Sequence, residues 1–220
     1  MTQRGAPLFE FDKRLASTLK DPLNSKIVGI DEAGRGPWAG PVVACAVLLP
    51  PKFFHADLAD SKMIPAPKRA RIHQDILGIA LWALGVVEVD LIDSLNIWRA
   101  THLAMKKALD LLLSKYLEIK PDIVLVDGLP IPSLGNYKQR SIVKGDTLSA
   151  SIAAASIIAK VERDKIMEQY DHDYPHYGFA KHKGYGTKYH QNKLLELGPS
   201  PIHRRSFSPV LAAMKKHRVS

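Results

Sequence analysis

Four acidic residues follow apolar runs that the sequence predicts to be β-strands. Asp31 and Glu32 come after residues 27–30, Asp127 comes after residues 123–126, and Asp146 ends a run that begins at residue 140. Side chains at the ends of neighbouring strands converge on one crevice of an open sheet, so we expect these carboxylates to meet. A cluster with oxygen ligands alone suits Mg²⁺ or Mn²⁺ rather than zinc.

Such a cluster in a basic protein indicates phosphate-transfer chemistry, in which two metal ions activate a water and stabilise the leaving oxygen. Each acid also has a structural interpretation: Asp127 precedes Gly128 and can be a turn residue, Asp146 is placed as the N-cap of the next helix, and Asp31 and Glu32 can be a solvated strand end. The coincidence of three strand-terminal acidic positions favours the metal interpretation.

Neighbouring residues of a regular strand point to opposite faces of the sheet. Asp31 and Glu32 can therefore share one crevice only if the strand breaks at this point. Gly34 and Gly36, which follow closely, can supply such a break.

The elements that must position these acids are indicated by apolar runs, prolines and helical periodicity. Strands are predicted at residues 27–30 and 42–49, which form a hairpin, and at 79–89, 122–128 and 140–146; helices are predicted at 67–77, 97–117 and 147 to about 170, with short ones near 187–197 and 208–216. This order predicts a mixed sheet flanked by helices, with a C-terminal helical appendage.

Composition excludes several classes of protein. The chain has 220 residues, of which 46% are hydrophobic and 24% are charged, which is ordinary globular usage rather than that of a disordered or fibrous protein. The single cysteine, Cys45, excludes an intramolecular disulfide and a cysteine-based zinc cluster, and we expect it in the core. No apolar stretch reaches the roughly 18 residues of a membrane-spanning helix, so we expect no membrane partner and a cytoplasmic location.

The charge distribution points to a polyanionic partner. Lys and Arg total 31 against 22 acidic residues, a net charge of +9, and residues 181–220 hold nine of those cations against one acid, Glu196. A basic segment of this kind is either a solvated tail or a footprint for the phosphate backbone of nucleic acid.

The sequence argues against two nucleotide-binding motifs. Gly34-x-Gly36 is followed by a predicted strand and not by the helix of a dinucleotide-binding site, and the sequence contains no Walker loop.

A series of motifs in this chain closely resembles the type 2 ribonucleases H, specifically bacterial ribonuclease HII. The matching segments run in family order from residue 27 to about 210: GIDEAGRGP at 29–37, AGPVVA at 39–44, DSK at 60–62, VDG at 126–128, KGD at 144–146, AAASIIAKVERD at 153–164, HKGYGT at 182–187 and HRRSF at 203–207. Residues 1–25 match no motif and have no assigned role.

The resemblance implies an α/β, ribonuclease H-like mixed five-stranded sheet flanked by helices. It also implies a type 2 ribonuclease H domain at residues 26–218, with a core to about 165 and a helical extension over about 166–218. The implied activity is endonucleolytic cleavage of the RNA strand of RNA–DNA hybrids and incision at single ribonucleotides in duplex DNA. The products carry 3′-hydroxyl and 5′-phosphate ends, the cofactor is Mn²⁺ or Mg²⁺, and the protein is a monomer.

The same resemblance assigns roles to individual residues. Asp31, Glu32, Asp127 and Asp146 match the metal-binding catalytic acids; Gly34, Arg35 and Gly36 match the tripeptide that reads the ribose 2′-hydroxyl; Tyr185 matches the tyrosine that packs on the neighbouring deoxyribose; Lys62 and Lys183 are phosphate contacts. Glycines let the backbone approach a sugar closely, and the 2′-hydroxyl is the group that separates RNA from DNA. Arg163 and Asp164 are interpreted as a local ion pair.

Two alternatives stay open at this point. Another nuclease of the ribonuclease H-like superfamily, such as a type HIII enzyme or a junction resolvase, would carry a similar set of acids. A non-catalytic, basic nucleic-acid-binding module would use the same acids only to cap strands and helices, although the complete set of four acids beside Gly34, Arg35 and Gly36 argues against it.

Overall fold

A five-stranded mixed sheet forms the centre of the protein, as predicted. The structure, a computed structural model, describes residues 5–132 and 134–219. The strands are β1 (Ile27–Ala33), β2 (Val42–Leu48), β3 (Leu81–Val87), β4 (Ile123–Asp127) and β5 (Gln139–Ile142). Their order in the sheet is β3-β2-β1-β4-β5. The predicted hairpin is confirmed, since β1, β2 and β3 are antiparallel neighbours, while β4 runs parallel to β1 and β5 parallel to β4.

Helices cover both faces of this sheet. They are α1 (Ala6–Ala16), α2 (Ala66–Leu77), α3 (Val89–Leu95), α4 (Ile97–Lys115), α5 (Ala150–Asp173), α6 (Phe179–His182), α7 (Lys188–Leu197) and α8 (Ser208–Val219). Alternate residues of β2 face opposite helices: Ala44 packs in the cluster that contains Leu112 of α4, and Cys45 packs in the cluster that contains Ile157 of α5. Cys45 is fully buried, which confirms its predicted place in the core.

The close approach of α5 to β1 depends on small side chains. A Cβ atom at Gly29 would lie 2.2 Å from the carbonyl carbon of Ser151, so only glycine fits at that strand position. The buried alanines Ala153, Ala154 and Ala155 continue the contact surface along α5. This tight packing fixes the position of β1, whose C-terminal end carries Asp31 and Glu32.

The start of α5 differs from the prediction, and the assignment of Asp146 as its N-cap is wrong. Lys144 adopts a left-handed conformation (φ 56°), and the chain then makes a 3-10 turn over Gly145–Thr147 before the helix begins at Ala150. The N-cap is Ser149, whose Oγ accepts a hydrogen bond from the Ile152 amide. The turn leaves the Asp146 carboxylate available for other contacts.

Three further helices, α1, α3 and the short α6, were not predicted. Helix α3 follows β3 directly and is separated from α4 by Asn96, whose φ of 69° and side-chain hydrogen bonds to the amides of Trp98 and Arg99 mark the start of α4. Helix α1 packs against α5, where Asp12 accepts hydrogen bonds from the amide and the hydroxyl of Ser151 at 2.8 and 2.7 Å. The N-terminal segment thus contributes to the fold from Gly5 onward, while the domain boundaries stay a prediction.

The basic C-terminal region is folded onto the domain. It forms α6, α7 and α8, and an isolated bridge pairs Ala39 with His203. The interpretation as a solvated tail is wrong for Arg204, which is 0% exposed. Among the described residues, no helix combines the length and the apolar character that crossing a membrane requires.

Candidate active site at the ends of β1 and β4

Asp31 and Glu32 lie within β1, and the predicted strand break between them is wrong. Antiparallel pairing with β2 continues through Ala33, which keeps the strand regular. Pairing with β4 ends one step earlier, at Ile30 opposite Val126, because β4 itself ends at Asp127. The end of β1 therefore extends past its parallel neighbour, and the Asp127 charge acts on both carboxyls.

The other two acids lie beside this end of β1. The Asp127 Oδ1 atom accepts a hydrogen bond of 2.6 Å from the amide of Gly145, the residue before Asp146. The Asp146 Oδ2 atom is 3.3 Å from the Lys62 ammonium, which comes from the 3-10 turn Ser61–Met63. The turn that displaces the start of α5 thus brings Asp146 into the same neighbourhood as Asp127.

Burial and mutual repulsion make this group of acids electrostatically unfavourable. Burial raises the pKa of Asp31 well above its usual range, and the negative charges of Glu32 and Asp127 raise it further. Burial also raises the pKa of Glu32, which Arg35 partly offsets, and the pKa of Asp127, which the Gly145 amide partly offsets. Burial and the neighbouring negative charges both disfavour the ionised carboxylates, and a bound cation would offset both effects.

The donor set fits a hard cation, although the side chains are not arranged as a ready-made cage. Within residues 5–132 and 134–219, no group of three or more His, Cys, Asp or Glu side chains is disposed to hold a metal ion. The groups that do converge are carboxylates whose ionised forms are destabilised by burial and by their neighbours. Carboxylate oxygens bind Mg²⁺ and Mn²⁺ better than they bind softer metals. The assignment of four metal ligands remains a prediction.

The segment Gly34–Gly36 follows β1 directly. Gly34 has a φ of 99°, and a Cβ atom there would lie 2.1 Å from the Arg163 Nε atom and 2.7 Å from the Pro41 carbonyl oxygen, so no other residue fits. A Cβ atom at Gly36 would lie 3.6 Å from the ring of Tyr185. The structure thus brings Tyr185, which is 45% exposed, next to this glycine segment.

Arg35 links the glycine segment to the acidic group. Its Nη1 atom lies 3.3 Å from Glu32 Oε1, and its guanidinium stacks over the Trp98 ring, 4.4 Å from the ring centroid. Trp98 is 48% exposed at the start of α4 and carried no sequence signal for a functional role. The two contacts hold the Arg35 side chain between the end of β1 and α4.

The two lysines predicted to contact phosphates have different surroundings. Lys62 reaches the acidic group through Asp146, and its side chain is 74% exposed. Lys183 lies on the segment that carries Tyr185, and its ammonium is 2.6 Å from Glu168 of α5. Lys183 is therefore already paired with a carboxylate, whereas the Lys62 side chain is largely open to solvent.

Three histidines hold the segment around Tyr185, and sequence reasoning assigned this role to none of them. The Ser200 amide donates to His203 Nδ1 at 2.9 Å, so the proton of His203 is on Nε2 and is donated to His190 Nε2 at 2.9 Å. His190 Nδ1 then donates to the Tyr185 carbonyl at 3.0 Å. His182 stacks on His190 with ring centroids 4.3 Å apart. These hydrogen bonds require neutral His190 and His203 rings, and burial lowers the pKa of both side chains.

Two buried arginines connect the Gly34–Pro41 loop to the rest of the molecule. The interpretation of Arg163 and Asp164 as a local ion pair is wrong: Asp164 binds Lys160 at 2.7 Å, and Arg163 donates to backbone carbonyls. Arg204 also donates to carbonyls of this loop. No local sequence pattern identifies such a role, because every residue has a backbone carbonyl and the residue type does not show which carbonyl accepts the bond.

Comparison with known proteins decides the family. The family model for Ribonuclease HII matches residues 28–210. The chain belongs to the ribonuclease HII family. A Ribonuclease HII from Carboxydothermus hydrogenoformans is 49% identical over 185 residues, which cover 84% of this chain and 78% of the relative. The family identity makes this protein a hydrolase with ribonuclease H activity, which confirms the prediction drawn from the motifs.

Solved structures of the ribonuclease H2 and HIII types share the fold. The ribonuclease H2 from Pyrococcus horikoshii superposes with a TM-score of 0.67 at 25% identity, and the match covers 89% of this chain and all of that one. A Bst-RNase HIII structure in complex with Mn²⁺ gives a TM-score of 0.71 at 18% identity, covering 92% of this chain and 73% of that one. The predicted ribonuclease H-like mixed five-stranded sheet flanked by helices is therefore confirmed.

Proposed function

We propose that the protein cleaves the RNA strand of RNA–DNA hybrids and incises duplex DNA at single embedded ribonucleotides, leaving 3′-hydroxyl and 5′-phosphate ends. One observation supports this substrate above others: the Gly34–Gly36 segment contacts both the group of acids and Tyr185. Arg35 contacts Glu32 of the acidic group, and Gly36 lies against Tyr185. A backbone segment that can approach a sugar closely is thus adjacent to groups that can perform hydrolysis.

Asp31, Glu32, Asp127 and Asp146 are the residues that would hold divalent cations, with Mn²⁺ or Mg²⁺ as the ions that match their oxygen donors. When bound, such ions activate a water and stabilise the leaving oxygen of a phosphodiester. The Mn²⁺ complex of the HIII-type structural neighbour supports this choice of ion class. Burial, with smaller contributions from neighbouring charges, raises the pKa of Asp31, Glu32 and Asp127, and a bound cation would stabilise their ionised forms.

The remaining residues position the substrate. The Gly34, Arg35 and Gly36 backbone reads the 2′-hydroxyl, and the exposed ring of Tyr185 packs on the neighbouring deoxyribose. Lys62 neutralises a phosphate close to the acidic group. Lys183 serves a more distant phosphate, which must compete with Glu168 for its ammonium. The proposed substrates are RNA–DNA hybrids and ribonucleotide-containing duplex DNA. We propose that the protein acts on them as a monomer in the cytoplasm.

The deciding experiment uses a DNA duplex that contains one ribonucleotide. With Mn²⁺ the wild-type protein should nick this duplex at the ribonucleotide, and EDTA should abolish the nicking. Asp127→Asn should lose activity by several orders of magnitude, because it removes one of the charges that attract the metal. Asp110→Asn on the outer surface of α4 is the matched control and should keep full activity.

Three substrates separate this proposal from its competitors. An all-DNA duplex should stay intact; equal cleavage of that duplex would show a nuclease of resolvase type. An intact ribonucleotide duplex in the presence of Mn²⁺, with wild type and Asp127→Asn indistinguishable, would contradict the proposed site. The third substrate, a continuous RNA–DNA hybrid, measures whether the RNA strand of longer hybrids is also cleaved.

A further inference from the structure

Arg163 bridges the two segments that the proposed function places around the sugar. Its Nε atom donates to the Pro41 carbonyl at 2.9 Å and its Nη2 atom to the Ala39 carbonyl at 3.1 Å. Its Nη1 atom donates to the Lys183 carbonyl at 3.0 Å. One side chain of α5 therefore fixes the loop after Gly36 relative to the segment that carries Tyr185.

Arg204 binds the glycine segment itself. Its Nη1 atom donates to the Arg35 carbonyl at 3.0 Å, and its Nη2 atom donates to the carbonyl of Gly34. Further bonds go to the carbonyls of Gly40 and Pro41. A planar guanidinium with five donors can hold several carbonyls at once, which a lysine ammonium cannot do in the same geometry.

The direction of these carbonyls determines where the neighbouring amides point. In a trans peptide the C=O and N–H groups point in opposite directions, and no cis peptide occurs in the described chain. The Gly34 carbonyl shares its peptide with the Arg35 amide, and the Arg35 carbonyl shares its peptide with the Gly36 amide. Because Arg204 draws both carbonyls toward the interior, both amides point away from it.

We propose that Arg204 and Arg163 are positioning residues for recognition of the ribose. Arg204 holds the Gly34 and Arg35 carbonyls so that the following two amides are presented to the 2′-hydroxyl oxygen. Arg163 keeps that pair of amides at a fixed distance from Tyr185 through the Lys183 carbonyl. This inference rests on the proposed function, since it explains how a glycine segment without regular secondary structure can recognise one oxygen atom.

The test replaces each guanidinium by an ammonium and measures discrimination between sugars. Arg204→Lys and Arg163→Lys are compared with wild type and with Arg14→Lys, the same change at an arginine that is 79% exposed on α1. Affinities are measured in EDTA for a duplex with one ribonucleotide and for the all-DNA duplex of the same sequence. Cleavage of the ribonucleotide duplex in Mn²⁺ gives kcat and KM, and circular dichroism reports folding.

Wild type and Arg14→Lys should bind the ribonucleotide duplex more tightly than the DNA duplex. In Arg204→Lys that affinity ratio should fall toward one while affinity for the DNA duplex stays within about twofold, because phosphate contacts are untouched. A displacement of about 1 Å in a reacting geometry costs roughly 100-fold in rate, so kcat should fall by about that factor. A folded Arg204→Lys that keeps the wild-type affinity ratio and kcat would overturn the inference.

Two controls separate the possible failures. If wild type itself neither prefers nor cleaves the ribonucleotide duplex, the proposed function fails and not only this inference.

If Arg204→Lys does not fold, amide hydrogen exchange in the wild-type protein tests whether the loop after Gly36 is held in place. The Trp38 and Gly40 amides, which donate to Gly184 and Ile202, should exchange at least tenfold more slowly than the Phe53 amide of the Pro50 turn. Equal exchange rates would show an unclamped loop and would also overturn the inference.

Discussion

Lowering the pH from 7 to 5 is expected to destabilise the protein through His190 and His203. Both side chains are buried, at 0% and 1% exposure, and each ring nitrogen has a defined partner that requires the neutral form. Burial lowers the pKa of His190 to about 4. Burial and the neighbouring His190 lower the pKa of His203 to about 3.

The sign and size of the effect follow from these values. A histidine in the unfolded chain has a pKa of about 6.5. Below that pH the unfolded state therefore binds protons that the folded state does not bind. The stability that each residue contributes is complete above pH 6.5 and is lost as the pH falls toward the folded value. Each pH unit costs about 1.4 kcal/mol per histidine, so at pH 5 the pair has lost about 4 kcal/mol.

Urea unfolding at pH 7, 6 and 5, followed by circular dichroism, measures this loss. His203→Gln removes one titrating ring, and His172→Gln removes an exposed histidine of α5 as the matched control. The first variant should be less stable than wild type at pH 7, but its further loss between pH 7 and 5 should be smaller by about 2 kcal/mol. The control should follow the wild-type pH dependence.

Parallel curves for wild type and His203→Gln would refute this reasoning. Such a result would mean that His203 titrates in the folded protein much as it does in the unfolded chain. The proton assignment along Ser200, His203 and His190 would then be wrong as well, because it requires His203 Nδ1 to accept a hydrogen bond from the Ser200 amide.

Three other outcomes are expected. Tyr185→Ala should reduce kcat/KM at a single ribonucleotide about tenfold, or about 1.4 kcal/mol, with little change in Tm because the ring is half-exposed; a large drop in Tm with unchanged activity would show a structural role. Gly29→Ala should lower the free energy of unfolding by about 2 kcal/mol or more, because its methyl group would collide with Ser151, and chemical denaturation that detects no change would contradict that packing. The logarithm of kcat/KM should fall linearly with the logarithm of salt concentration; an activity insensitive to salt would exclude phosphate contacts by the basic C-terminal region.

The sheet was predictable because its signals are local. Each apolar run that becomes β1, β2 or β4 is bounded by prolines, glycines or acids in the adjacent sequence. The helical crossover between β3 and β4 places β4 parallel to β3, and therefore parallel to β1. The placement of Asp127 and Asp31 at neighbouring strand ends was therefore within reach of sequence reasoning.

The start of α5 was not predictable in the same way. Asp146 and Ser149 are both good N-cap residues, and only the left-handed turn at Lys144 places the helix start after the second of them. The helix α3 was missed because it is short and continues an apolar segment that began as β3. Both errors concern local choices that tertiary contacts settle.

The residues around the Gly34–Gly36 segment show a different limit of sequence analysis. Arg163 and Arg204 carry no local pattern, since their partners are carbonyls of residues 34–41 and 183. The sequence suggested a local ion pair with Asp164 for Arg163 and membership of the basic C-terminal segment for Arg204. Charge counting placed Arg204 in a segment interpreted as either a solvated tail or a phosphate footprint, whereas its burial and its hydrogen bonds place it in the interior.

The long reach of Arg204 affects the order in which the protein can mature. The bond from Arg204 to Gly40 spans 164 residues, and contacts of such sequence separation form slowly because a long loop must close first. During synthesis, a nascent chain already contains the whole sheet, the four acids and Tyr185 before residue 204 is added. Its glycine segment would still lack the guanidinium that draws its carbonyls inward, so this segment can reach its final geometry only after residue 204 has joined the fold.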